Sequence, residues 1–212
     1  MKIKKEIEAI RPEVIELRRD FHRHPELGFK EFRTSGIVKD YLESLDLDEV
    51  HTCSGTGVIG ILKGGKPGKR VILRADIDAL PIQEDSGEPF ASENPGIAHA
   101  CGHDGHTAML LGAAKIWAAH RAEIPGTLVF LFQPNEEDAG AQIMIDDGAM
   151  EITGKPDAIF GYHLWANFPL GKIGIHPGPT MASSYYFKIK IHGKGGHGGE
   201  PHGAINPIDA AT

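Results

Sequence analysis

Eight consecutive residues, His99-Ala-Cys-Gly-His-Asp-Gly-His106, carry three imidazoles, a thiol and a carboxylate. That concentration of cation-capable groups constrains the chain more than any other stretch. Cys101 and His103, two positions apart, can both reach one cation if the backbone is extended or turned. Thiolate and imidazole suit zinc, cobalt or nickel better than magnesium or calcium, which prefer oxygen donors. Apolar residues from Ala108 to Trp117 then recur at helical spacing. A helix is therefore expected to start inside the cluster, with Asp104 as its cap.

Other chemistry-bearing residues stand where apolar runs end. Residues 57–62 and 69–74 flank a stretch, 63–68, whose glycines and proline fit a turn, which predicts a hairpin. Its second arm leads into Asp76 and Asp78, spaced for one face of an extended segment. Residues 127–132, rich in strand formers, end in Gln133-Pro-Asn-Glu-Glu-Asp138 and so place Glu136 and Glu137 after a strand. A further apolar run, 157–162, ends at His163. Helices are expected from Pro12, with that proline in the first turn, from Thr34 or Ser35 as cap through Leu45, and over 141–150.

Strands alternating with helices give an α/β class, an open, mostly parallel sheet flanked by helices. In such sheets ligands collect beyond the carboxyl ends of the strands, where Asp76, Asp78, Glu136, Glu137 and His163 would fall. Taken singly, a Glu-Glu pair is a solvated loop, an Asp-x-Asp a turn, and a histidine after a strand a satisfied imidazole. Their joint occurrence with the Cys-x-His cluster favours a metal site. His99 and His106 are candidates to orient a ligand from behind. His22, His24, His51, His120, His176 and His192 have no comparable support.

The 212 residues are 41% hydrophobic, enough for one sizeable core and the beginning of a second domain. The net charge of -7 comes from interspersed signs with no basic block, so neither nucleic acid nor an anionic membrane is an expected partner. No run approaches the ~18 apolar residues of a membrane span, and the amino terminus lacks a signal-peptide pattern. A cytoplasmic location is the default expectation. Two cysteines, Cys53 and Cys101, make no disulfide framework, and Cys53 reads as a small buried hydrophobe.

Four segments together carry a resemblance: residues 17–29 (Leu-Arg-Arg-Asp-Phe-His-Arg-His-Pro-Glu-Leu-Gly-Phe), 73–81 (Leu-Arg-Ala-Asp-Ile-Asp-Ala-Leu-Pro), 99–106, and 132–137 (Phe-Gln-Pro-Asn-Glu-Glu). In that order they resemble the M20 metallopeptidases. The likeness is to the amidohydrolase branch, which includes hippurate hydrolases, N-acyl-amino-acid deacylases and auxin-conjugate hydrolases. It continues through Gly161-Tyr-His163, residues 177–183 and residues 193–202.

The resemblance implies a zinc-exopeptidase-like fold, with a catalytic domain over 1–180 and the start of an α+β lid and dimerisation domain over 181–212. Residues 185–191 would be that domain's first strand, and 204–212 a helix start with Asn206 as cap and Pro207 at the first position. In the family's pattern Cys101, His103, Glu137 and His163 are ligands of two divalent metal ions, zinc first, with manganese, cobalt or nickel as alternatives. Glu136 matches the general base and Asp78 an acid that orients a ligand imidazole, while Asp76 has no fixed part. His197 matches a histidine that reaches a neighbouring subunit's site and stabilises an oxyanion, which implies a homodimer.

The implied reaction is hydrolysis of the amide bond of an N-acyl amino acid or similar small conjugate. Family members are nearly twice this length and hold a further ligand histidine in the distal half, so the chain is expected to be truncated and prone to association through exposed edges. Asn135, Asp138 and Asn206 depart from the family's commoner residues. Two other classes remain open: a metal-binding but inactive fragment acting in association, and a cysteine hydrolase with Cys101 as nucleophile.

Overall fold

The apolar run ahead of the paired glutamates forms the central strand of a mixed five-stranded sheet. In the computed structural model, which describes residues 4–183 and 185–212, this strand, β4 (Pro125–Gln133), pairs antiparallel with β2 (Gly57–Lys63) and parallel with β3 (Lys66–Asp76). An edge strand on each side, β1 (Glu49–Cys53) and β5 (Ala158–Gly161), completes the order β1-β2-β4-β3-β5. Helices α1 (Lys4–Arg23), α2 (Phe32–Glu43) and α3 (His103–Ala119) precede β4, and the short α4 (Gly140–Asp146) and α5 (Ala149–Thr153) follow it.

Alternation along the inner strands builds a core on each face. Val58 and Leu62 of β2 and Phe130 and Phe132 of β4 pack with Phe21, Val38, Leu42, Leu110 and Leu111 from the first three helices. Ile59, Ile61, Ile72 and Val129 point the other way and pack with Cys53, Met144 and Ala149. Residues 57–62 are consequently buried without interruption, as expected for a strand covered on both faces. Cys53 is the small buried hydrophobe expected of it.

The expected hairpin of β2 and β3 does not form, because β4 lies between the two arms. The glycines read as turn residues serve a close crossing instead. A Cβ at Gly68 would lie 2.5 Å from the Pro125 carbonyl carbon, and one at Gly126 would lie 1.9 Å from the Lys69 carbonyl oxygen. The β3/β4 ladder is accordingly irregular between Lys66 and Arg70 and regular from Arg70 to Asp76.

Helix ends also differ from expectation. Pro12 lies inside α1 rather than in its first turn. Thr34 and Ser35 lie within α2 and cap nothing; the Glu26 carboxylate, from the preceding loop, accepts the Arg33 and Thr34 backbone N–H groups. Asp104 is in the first turn of α3 but makes no cap bond; its Oδ2 is bound by Arg18 and His22 instead. The helix expected over 141–150 is two short helices, interrupted at Gly148, whose φ is +91°.

The chain divides into two units, Met1–Ala166 and Asn167–Thr212. In the second, residues 185–191 form no strand: their side chains are exposed and no ladder partner exists among the described residues. Residues 204–212 form turns rather than a helix start, although Asn206 Oδ1 does accept the Ile208 N–H at 3.1 Å. Lys194 and Ile205 make an isolated antiparallel bridge. Among the described residues no helix is long and apolar enough to cross a membrane.

Candidate metal centre

Three parallel strands deliver their carboxyl ends to one edge of the first unit. Asp76 ends β3 and Asp78 follows it; Glu136 and Glu137 occupy a 3-10 turn just after β4; His163 lies two residues beyond β5. Helix α3 starts at the same edge. Gly102, at φ +89°, takes the left-handed conformation that turns the chain from Cys101 into the helix at His103.

His103 is the hub. It is 1% exposed, and its Nδ1 faces the Asp78 carbonyl oxygen at 2.9 Å and Asp78 Oδ1 at 3.2 Å. Both are acceptors, so Nδ1 carries the proton and donates. Nε2 is buried with no hydrogen-bond partner among the described residues, yet it lies 3.6 Å from Asp76 Oδ2 and 3.8 Å from Glu136 Oε2 and from Glu137 Oε1. Those gaps are long for hydrogen bonds and close to the ~3.4 Å that separates two donors each ~2.1 Å from one tetrahedral cation. An orphaned, desolvated imidazole nitrogen among carboxylates is costly unless a cation sits there. Burial lowers the His103 pKa, but Asp78, Asp76 and Glu137 outweigh it and raise it overall.

Donor atoms of Cys101, His103 and His163 lie within 4.8 Å of one another, as do those of His103, Glu136 and Glu137. Cys101 Sγ is 3.3 Å from His163 Nε2. Burial and then the neighbouring Glu137, Glu136 and Asp76 carboxylates push the Cys101 thiol up to about 12. A cation would remove that penalty and favour the thiolate. The residues therefore fit a divalent centre.

Asp76, His103 and His106 form a third group within 4.8 Å, but His106 has no free nitrogen. Its Nδ1 donates to Asp76 Oδ1 at 2.6 Å, and its Nε2 accepts the Leu164 N–H at 2.9 Å. Asp76 is also bound by Arg74 at 2.7 Å. Burial raises the Asp76 pKa, but His106, His103 and Arg74 outweigh it and hold the carboxyl down at about 2. Asp78 has a second duty: its Oδ2 accepts the Glu137 N–H at 3.1 Å. One carboxylate thus orients both the buried imidazole and the acidic turn.

The structure brings together Asp78, Cys101, His103, Glu136, Glu137 and His163. His197 belongs to the second unit, where it is exposed and its Nδ1 accepts the Gly199 N–H at 3.2 Å. His99 is 5% exposed with both ring nitrogens unpartnered, and burial pushes its pKa down to about 4. It enters none of the three groups.

Sequence reasoning missed the supports of the acidic turn. Glu31, fully buried, accepts the Thr56 hydroxyl at 2.6 Å and the Asn135 N–H at 3.0 Å. Its carboxyl is raised by that burial, in opposition to these hydrogen bonds. Asn135 has φ +50°, a conformation asparagine tolerates, and its side chain fills the space a Cβ at Gly28 would need, 1.8 Å from Oδ1. The Pro-Glu-Leu-Gly stretch thereby gains a role: Glu26 caps α2 while Gly28 makes room for the turn.

A model of peptidase family M20/M25/M40 matches residues 72–207. The chain belongs to this family. The N-acyl-L-amino acid amidohydrolase of Geobacillus stearothermophilus is 48% identical over 208 residues, 97% of this chain and 55% of that protein. The N-acetylcysteine deacetylase of Bacillus subtilis is 46% identical over 209 residues, 96% of this chain and 53% of that protein. Among solved structures, the Bacillus subtilis YXEP protein, a dinuclear metal binding peptidase of the same family, aligns with a TM-score of 0.76 at 43% identity. The alignment covers 81% of this chain and 48% of that one. This chain spans about half the length of the curated relatives it matches.

Proposed function

We propose that the protein hydrolyses the amide bond of N-acyl amino acids or similar small conjugates, with Cys101, His103, Glu137 and His163 holding two divalent cations and Glu136 as the general base. The carrying observation is the buried His103 Nε2, unpartnered and ringed by carboxylates while Asp78 fixes the opposite nitrogen. The named activities of the Geobacillus and Bacillus relatives support the substrate class.

A divalent pair held by these residues would supply Lewis acidity toward the amide carbonyl and toward water, which could then ionise near neutral pH. Zinc suits the thiolate and imidazole donors first, with manganese, cobalt or nickel as alternatives. The chain's own residues supply the rest. Glu137, whose backbone N–H is held by Asp78, is the anchored member of the acidic pair. Glu136, beside it on the turn and exposed, is free to take a proton from water and pass it to the leaving amine. Asp78 keeps the Nε2 lone pair of His103 turned toward the cation position.

For residues 181–212 we propose a lid and dimerisation role, and with it a homodimer. The domain boundary is proposed between residues 180 and 181. Because His197 Nδ1 accepts a hydrogen bond, its neutral ring bears the proton on Nε2, which suits donation to an oxyanion. A cytoplasmic setting belongs to the same proposal. The cysteine-hydrolase alternative has the 3.3 Å Cys101–His163 pair in its favour, but a thiol pushed up to about 12 is the reverse of an activated nucleophile.

The test is turnover of N-acetyl and N-benzoyl amino acids, with metal content measured on the same samples. Glu136→Gln should keep its metal and lose ~10²–10⁴-fold in kcat. A variant with full metal occupancy and near wild-type kcat would remove Glu136 from that role. Bound metal in the wild type with no turnover on any acyl amino acid would instead favour an inactive metal-binding module.

A further inference from the structure

We infer that Asp76 and His106 form a clasp that fixes the strap after β5 and so positions His163; His106 is a positioning residue rather than a ligand. The inference rests on the metal-site reading for its consequence but not for its geometry. The strap has little support of its own. β5 has four residues, it pairs with β3 alone, and Ile159 and Phe160 are more than half exposed. His163 itself is exposed, and among the described residues its side chain hydrogen-bonds only to Cys101 Sγ and to the adjoining Leu164 carbonyl.

What holds the strap comes from α3. Tyr162 donates its hydroxyl to the His106 carbonyl at 2.7 Å, and Leu164 donates its N–H to His106 Nε2 at 2.9 Å. The two attachments bracket His163 on either side. The His106 ring also packs edge-on against the His163 ring, with centroids 4.7 Å apart, and against Tyr162 at 5.6 Å.

Asp76 makes the second attachment possible. Its carboxylate accepts from Nδ1 and so fixes the proton there, leaving the Nε2 lone pair for the Leu164 amide. With the proton on the other nitrogen, two donors would face each other and the strap would lose the Leu164 attachment. Asp76 is itself locked by Arg74, which also reaches Gln133 at the end of β4. The position of His163 is thus referred back to β3 and β4, the rigid centre of the sheet, although its own strand is the edge.

The clasp is tested by two independent readouts on the 212-residue chain. Hydrogen exchange over residues 159–166 should rise at least tenfold in His106→Ala, with 125–133 unchanged as the control for folding. His106→Gln, whose side-chain oxygen can accept the Leu164 N–H near the Nε2 position, should restore most of the protection. Cobalt titration followed by the thiolate-to-cobalt charge-transfer band should show affinity falling roughly 10–100-fold in His106→Ala and recovering in His106→Gln. Unchanged exchange in the alanine variant would overturn the clasp. Faster exchange with unchanged cobalt affinity would overturn its control of His163. Failure of the wild type to bind cobalt would contradict the metal-site reading, while the exchange arm still decides the clasp.

Discussion

His103 and His163 face the same place and are held in opposite ways. His103 begins a long buried helix, is 1% exposed, and has Asp78 bound to its rear nitrogen. His163 sits on an exposed strap after a four-residue edge strand, its ring oriented by the adjoining carbonyl, by Cys101 Sγ and by contacts with His106 and Trp165. One donor is preorganised by the core and the other by its neighbours. A centre built this way would keep one fixed imidazole and let the second adjust as ligands enter and leave.

Replacing the two imidazoles separately should break this comparison most visibly. His103 is common to all three residue groups and offers one buried lone pair to them, so His103→Asn should cost more than the ~10–100-fold typical of losing an outer partner. His163→Asn should weaken the thiolate-containing position and leave His103 and Glu137 able to hold one cation. Isothermal titration with zinc measures both. Equal losses would mean that the two histidines are not distinguished by their support.

A smaller effect is expected at the anchor. Asp78 accepts from His103 Nδ1 and from the Glu137 N–H with different oxygens. An asparagine has one acceptor oxygen, so in Asp78→Asn one of those donors meets an amide NH₂. Metal affinity should fall ~10–100-fold with the unfolding midpoint little changed, as read by zinc titration and urea denaturation. A wild-type affinity would show that the rear contact does not preorganise His103.

The smallest effect concerns the far side of α3, where His22 joins α1 to Asp104 at 2.7 Å and to Glu84 at 3.0 Å, beside Arg18, His99 and Phe90. The Asp104 hydrogen bond, and after it Glu84, raise the His22 pKa against burial and Arg18. A raised imidazole contributes stability that is complete below its unfolded pKa of ~6.5 and is lost as pH climbs through the folded value. Burial pushes Asp104 up, but His22, His99 and Arg18 outweigh it and hold it low. Its contribution is present above ~3.9 and is lost as pH falls through the folded value. Urea unfolding free energies should therefore drop from pH 6 to pH 9 in the wild type, whereas His22→Gln should start ~1–3 kcal/mol lower and show a flatter profile. Parallel profiles would mean that His22 does not carry the dependence.

The candidate site was legible because Cys101 and His103 stand in a dense cluster and the other candidates at the ends of apolar runs, which parallel strands send to one edge. Cys101, His103, Glu136, Glu137 and His163 could be marked from local pattern alone. Strand order could not. Glycines at 64, 65 and 68 look the same whether they make a turn or permit a backbone crossing, and only the insertion of β4 decides between them. The supports were hidden for a related reason: Glu31 meets Asn135 across 104 positions, and nothing near either residue announces the other. His106 was half legible. It lies in the cluster, but that both its nitrogens are committed follows only from Asp76 and Leu164.

The central claim is tested most directly by anomalous diffraction from crystals grown with zinc. The account predicts density within ~2.0–2.3 Å of the donor atoms of Cys101, His103, Glu137 and His163, with His103 bound through Nε2. Crystals in which His103 Nε2 faces no metal and those four side chains stand beyond shared coordinating reach would contradict it.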